Sequence, residues 1–211
     1  MSLIRKPFRY SYTRAALYLI AANVVIYILQ LFSRDRITSF LALNPYAIIH
    51  YKMIWQFVTY MFVHSTAGWS HLLFNMIALF LFGTALERHI GSKEFTLYYF
   101  VTGTVAGVLS FAVYAATGVN PWLLGASGAL FAVQLAYAAF FPDSYIYIWG
   151  ILPLRAPIMV LLFTGIELVS GLTGRADGTA HATHLFGFLA GTLYSLIRWR
   201  LNPFKLMFAR R

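Results

Sequence analysis

Ser127 lies in the tetrad Gly125-Ala126-Ser127-Gly128. A hydroxyl between glycines is a nucleophile that backbone and substrate can both approach closely. If the tetrad opens a helix, the free N–H groups of that first turn point outward and can hold an oxyanion. The same residues could instead be a small-residue helix contact, with the hydroxyl bonded back to its own helix. His184 is a candidate base. With Gly187 and Gly191 it falls at i, i+3 and i+7, on one helical face. The two glycines remove bulk where a second helix could approach, bringing His184 within hydrogen-bond reach of Ser127. His181, one turn earlier and nearer the water, reads as an interfacial His. Nucleophilic acyl transfer is the chemistry such a Ser–His pair would support.

His71 and Asn75 stand at i and i+4. Both can donate hydrogen bonds, and that spacing puts them on one face. Either they serve a reacting group, or they satisfy each other and a nearby carbonyl. Glu167 could orient His184, but its simpler reading is a hydrogen bond to a loop or a protonated, desolvated acid. Asp177 is a weaker candidate for the same task. No H-E-x-x-H pattern is present and no carboxylate shares the turns of His71, His181 and His184. Neither a metal site nor a cofactor is therefore expected. The chain has no Cys, which excludes a thiol nucleophile and Cys-ligated zinc.

Which elements position these residues follows from composition. Among 211 residues, 60% are hydrophobic and 10% charged, against about 25% charged in soluble domains. So few charges cannot solvate a surface. That excludes a disordered chain, an ordinary soluble enzyme and a basic nucleic-acid-binding domain. A polytopic membrane protein, all-α, remains. Six stretches are apolar enough to cross: Ala15–Phe32, Leu72–Leu86, Phe95–Ala116, Leu123–Phe141, Pro157–Leu172 and Ala180–Ile197. The first reads as a retained helix: it is longer than a signal core, and no small-residue cleavage site follows it.

The net charge of +10 sets orientation. With the N-terminus inside, twelve of the sixteen Lys and Arg fall on the inner side, leaving Arg34, Arg36, Lys52 and Arg175 outside. Six spans with both termini cytoplasmic satisfy the positive-inside rule. This divides the chain into a basic N-terminus (1–14), a six-helix domain (15–198) and a basic tail (199–211). Trp69, Trp122, Trp149 and Trp199 sit beside or between span ends, as an aromatic belt requires. The first outer connection, Ser33–Ser70, contains the apolar and aromatic Met53–Val63 and reads as a partly inserted hairpin. Spans two, four and six all run from outside to inside. Their first turns, holding His71 and Asn75, Ser127, and His181 and His184, therefore lie at one depth near the outer face.

In this order these motifs resemble the rhomboid intramembrane serine proteases. The resemblance runs from about Trp55 to Gly191. It includes His71-x-x-x-Asn75, Glu87-Arg88-x-x-Gly91-Ser92, Gly125-Ala126-Ser127-Gly128 and His184-x-x-Gly187-x-x-x-Gly191. It implies a six-helix rhomboid bundle with a membrane-embedded first outer loop. It implies a Ser127–His184 dyad, with an oxyanion hole from the Ser127 N–H, His71 and Asn75. Phe131 is implied to pack on His184, and Gly125, Gly128, Gly187 and Gly191 to support the site. The implied substrates are single-pass transmembrane proteins cut near the outer face, in a membrane that is by default a bacterial inner membrane. An inactive relative that binds membrane clients is the alternative. The family often carries Trp-Arg in the first outer loop where this chain reads Trp55-Gln56, which puts that loop's stability in doubt.

Overall fold

The uncharged run from Ala15 to Phe32 forms helix α1 (Ala15–Phe32). Its start is held from elsewhere in the chain. The buried Glu87 carboxylate accepts the N–H groups of Ala15, at 2.6 Å, and Ala16, at 2.9 Å, and also the Ser92 hydroxyl. A carboxylate at a helix N-terminus satisfies orphan donors and meets the positive end of the helix dipole. Glu87 and Ser92 of the Glu-Arg motif thus tie the first three spans together. A computed structural model provides the coordinates, and it describes residues 8–148, 150–173 and 181–209. Trp149, Arg175 and Asp177 lie outside the described residues.

The bundle continues with helix α5 (Ser70–Ile90), helix α6 (Ser92–Thr117), helix α7 (Ser127–Phe140), helix α8 (Ala156–Leu172) and helix α9 (His181–Tyr194). Helices α1, α5 and α6 are each long and apolar enough to cross a membrane, whereas α7 and α8 are shorter apolar helices. Helix α7 is buried along most of its length, and a short helix suits a position so shielded by its neighbours. The core is filled by the buried small residues of α7, among them Ala129, Ala132, Ala136 and Ala139. A π turn interrupts α5 at Leu79–Gly83, and another, Ser195–Trp199, ends α9. The second is pinned to the start of α6. The Glu94 carboxylate accepts from Tyr194 Oη at 2.7 Å, Arg198 Nε at 2.6 Å and Trp199 Nε1 at 2.9 Å.

Between α1 and α5 the outer loop folds into three short helices, α2 (Arg36–Leu41), α3 (Pro45–Tyr51) and α4 (Gln56–Thr59). Phe40, Tyr46, Ile49, Tyr51, Ile54 and Trp55 stay exposed, giving the loop the apolar outer surface of a membrane-embedded element. Gln56, standing where the family often has Arg, is fully buried and knots this loop. Its Oε1 accepts the Asn44 N–H at 3.1 Å and its Nε2 donates to the Ser39 carbonyl at 3.2 Å. Deeper in, Gln30 on α1 clasps the backbone of His64, donating to its carbonyl and accepting its N–H, both at 3.0 Å.

Two expectations change. The fourth helix starts at Ser127, not Leu123. Leu43 and Leu123 exchange N–H···O bonds of 2.9 Å as an isolated antiparallel bridge, and the Gly125 N–H donates to the Tyr60 carbonyl at 3.0 Å. Pairing with the outer loop satisfies this extended backbone without a helix. The connection after α7 is an antiparallel hairpin, β1 (Tyr145–Ile148) with β2 (Leu152–Arg155). An Asp143–Arg155 ion pair closes its open end.

Candidate active site

Because the backbone at Leu123 and Gly125 is paired with the outer loop, Ser127 becomes the first residue of α7. Its backbone N–H has no intrahelical acceptor there. Gly125 adopts φ +118°, a backbone region that side chains rarely tolerate. A Cβ at Gly125 would also sit 2.9 Å from His71 Nε2, so the glycine lets the His71 ring close on the chain before Ser127.

The approach of α9 to α7 is set by glycines. A Cβ at Gly187 would lie 1.9 Å from the Gly128 carbonyl oxygen, and one at Gly191 would lie 2.9 Å from Ala132 Cα. Only backbone against backbone fits this crossing. The contact is locked by Tyr98, whose hydroxyl donates to the Ala132 carbonyl at 2.7 Å, and by a 2.7 Å Ser110–Thr183 hydroxyl pair between α6 and α9.

At that crossing His184 Nε2 stands 2.7 Å from Ser127 Oγ. The His184 ring stacks on Phe131, one turn below Ser127, with centroids 4.7 Å apart and planes 11° from parallel. Stacking fixes the ring plane, and the Ser127 contact fixes one edge. Ser127 is half-buried and His184 is 8% exposed, so the pair sits in a low-dielectric setting still open on the serine side.

His71 faces the same point. Its Nδ1 accepts the Ser65 N–H at 3.3 Å, so the neutral ring carries its proton on Nε2. That nitrogen borders Gly125, beside the Ser127 hydroxyl. Asn75 is buried and donates one N–H to the His71 carbonyl at 2.7 Å. This is the local contact that the i, i+4 spacing allows. His71 Nε2 and the start of α7 thus meet at Gly125, and Asn75 is tied to the backbone of His71.

Two features were not expected. Glu167 on α8 does not bond to a loop: its Oε2 lies 2.6 Å from His181 Nδ1 and 3.0 Å from His184 Nδ1. His181 is therefore a partner of a half-buried carboxylate rather than only an interfacial His. The spacing of residues along α8 carries no signal for this, because it depends on how α8 is rotated against α9. The second feature is His64. Its side chain is fully buried and packs edge-on to His71, with centroids 5.1 Å apart. Burial, and then the neighbouring His71, push its pKa down to about 3, so His64 is neutral at physiological pH. A lone His in a loop gives no sequence signal of such burial.

Comparison with known proteins identifies the family. Residues 51–201 match the family model described as a Rhomboid domain. The chain is 30% identical over 145 residues to the putative rhomboid protease YdcA of Bacillus subtilis, covering 68% of this chain and 66% of that protein. It is 27% identical over 189 residues to the rhomboid protease GlpG of Haemophilus influenzae, covering 90% of this chain and 93% of that one. It is 30% identical over 161 residues to rhomboid-related protein 1 of Caenorhabditis elegans, covering 70% of this chain but 42% of the relative's length.

Proposed function

The chain belongs to the rhomboid family, a family of integral multi-pass membrane proteins, and from that premise we propose that it is an intramembrane serine endopeptidase. The observation that carries this reading is the 2.7 Å approach of Ser127 Oγ to His184 Nε2. His184 takes the hydroxyl proton as Oγ attacks the scissile carbonyl. The Ser127 N–H, with His71 and Asn75, holds the charge that develops on the carbonyl oxygen. His184 then gives its proton to the leaving amine, and an acyl-enzyme remains. Water, with His184 again as base, releases the acyl fragment. The sequence of steps uses no metal or cofactor.

A peptidase needs an extended substrate backbone, and a membrane helix hides its carbonyls in its own hydrogen bonds. The fitting substrates are single-pass membrane proteins whose helix is locally unstable near the outer face. By family resemblance a small residue precedes the cut. The charge distribution supports cytoplasmic segments at 1–14 and 199–211 around the 15–198 domain, with the bacterial inner membrane as the default location.

A fluorophosphonate probe tests the assignment in purified protein. The wild type should be labelled and Ser127→Ala should not. Labelling that survives this substitution refutes Ser127 as nucleophile. A wild type that binds a client helix but takes no label is the inactive, client-binding alternative.

A further inference from the structure

We propose that Glu167 is a positioning residue for His184, so that a carboxylate backs the Ser–His pair; this rests on the serine-protease reading. Glu167 is the one ionisable residue in α8 (Ala156–Leu172). An ionisable group in a membrane helix is costly and needs a partner. Its partners are two imidazoles. Glu167 Oε2 stands 2.6 Å from Nδ1 of His181 and 3.0 Å from Nδ1 of His184, and the carboxylate and rings are only 17% and 11% exposed. His181 and His184 lie at i and i+3, so one oxygen on the neighbouring helix reaches both rings.

For His184 to accept a proton on Nε2, its own proton must sit on Nδ1. That nitrogen is buried and has no hydrogen-bond partner among the described residues, because the contact to Glu167 is close but out of line. A carboxylate oxygen at this distance selects the Nδ1–H tautomer and stabilises the imidazolium formed on attack. Phe131 holds the plane of the ring, Ser127 meets its Nε2 edge and Glu167 its Nδ1 edge. In the attack the Oγ–H bond breaks and its proton passes to Nε2. The Oγ–C bond forms as the carbonyl π electrons move to oxygen. Glu167 remains ionised and takes no proton. His181 shares the carboxylate through its Nδ1.

The competing account is a tether, with Glu167 only fastening α8 to α9. The two accounts separate in the purified full chain in detergent micelles, by comparing wild type, Ser127→Ala, Glu167→Gln, Glu167→Asp and His181→Gln. Measured are the fluorophosphonate labelling rate, kcat and KM on a single-pass substrate, and Tm. Positioning predicts that Glu167→Gln lowers kcat and labelling about 10- to 100-fold with KM within about twofold and Tm little changed. Glu167→Asp should recover part of the rate, and His181→Gln should keep kcat within about threefold of wild type. Wild-type labelling and kcat in Glu167→Gln overturn the proposal. So does a joint fall of activity and Tm in Glu167→Gln and His181→Gln. Either result leaves Ser127-dependent labelling of the wild type intact, whereas loss of that labelling refutes the protease reading and this inference with it.

Discussion

The His71 ring takes the Ser65 N–H on Nδ1 and so presents Nε2–H beside Gly125 and Ser127. One donor of this kind is worth about 10²–10³ in kcat in serine hydrolysis. His71→Ala should lower kcat by about that factor with KM nearly unchanged, as read from cleavage kinetics. Behind it, His64 makes a prediction about pH. Its folded pKa, about 3, lies below its ordinary 6.5. Between those values the unfolded chain binds a proton that the folded chain does not, so stability is lost as pH falls through that window. Among the described residues neither ring nitrogen of His64 bonds to another side chain, which makes an apolar replacement tolerable. Tm in micelles should fall from about pH 7 to about pH 4 in the wild type and fall less in His64→Leu. Equal slopes would contradict the burial of a neutral His64. Ser127, His184, His71 and Asn75 were legible in the sequence, because parity of the spans and helical spacing put them at one depth; Phe131 was legible only through the family resemblance. The contact of Glu167 with His184 was legible only as one of two readings, since choosing it depends on the rotation of one helix against another.

Among the elements, the crossing of α7 and α9 decides the site. A methyl at Gly187 would fall on the Gly128 carbonyl oxygen, 1.9 Å away, and backbone cannot yield as a flexible side chain can. Overpacking typically costs about 1–3 kcal/mol, and here any relief separates Ser127 from His184. Gly187→Ala should therefore lower Tm and abolish probe labelling together; full labelling would show that the helices can part without loss. The outer loop shows a different lesson. Trp55-Gln56 raised doubt about its stability, yet the Gln56 amide bonds to Asn44 and Ser39 across the loop. An amide can donate and accept at once, so it bridges an N–H and a carbonyl where a guanidinium could only donate. The late start of α7 escaped sequence reading for a related reason. Leu123 is apolar enough for a span, and only its distant partner Leu43 makes it extended. The β1–β2 hairpin was hidden similarly: Tyr145-Ile146-Tyr147-Ile148 has no polar alternation to mark a strand.

For the molecule as a whole, the sparse charge that excluded a soluble protein also orients the site. In the proposed topology twelve of sixteen cations fall on the cytoplasmic side and the first turns of α5, α7 and α9 lie outside. The chain contains no Cys, so single cysteines report sidedness cleanly. In intact cells a membrane-impermeant maleimide should label Ala67→Cys, in the exposed stretch before α5, and spare Ala209→Cys in the tail. The reverse pattern would place the Ser127 end of the bundle in the cytoplasm. Function itself is tested most directly by cleavage of a single-pass substrate by the purified chain in detergent, with Ser127→Ala alongside. The account predicts one cut near the outer end of the substrate helix by the wild type and none by Ser127→Ala. An uncut substrate with the wild type, or equal cutting by both proteins, would contradict it.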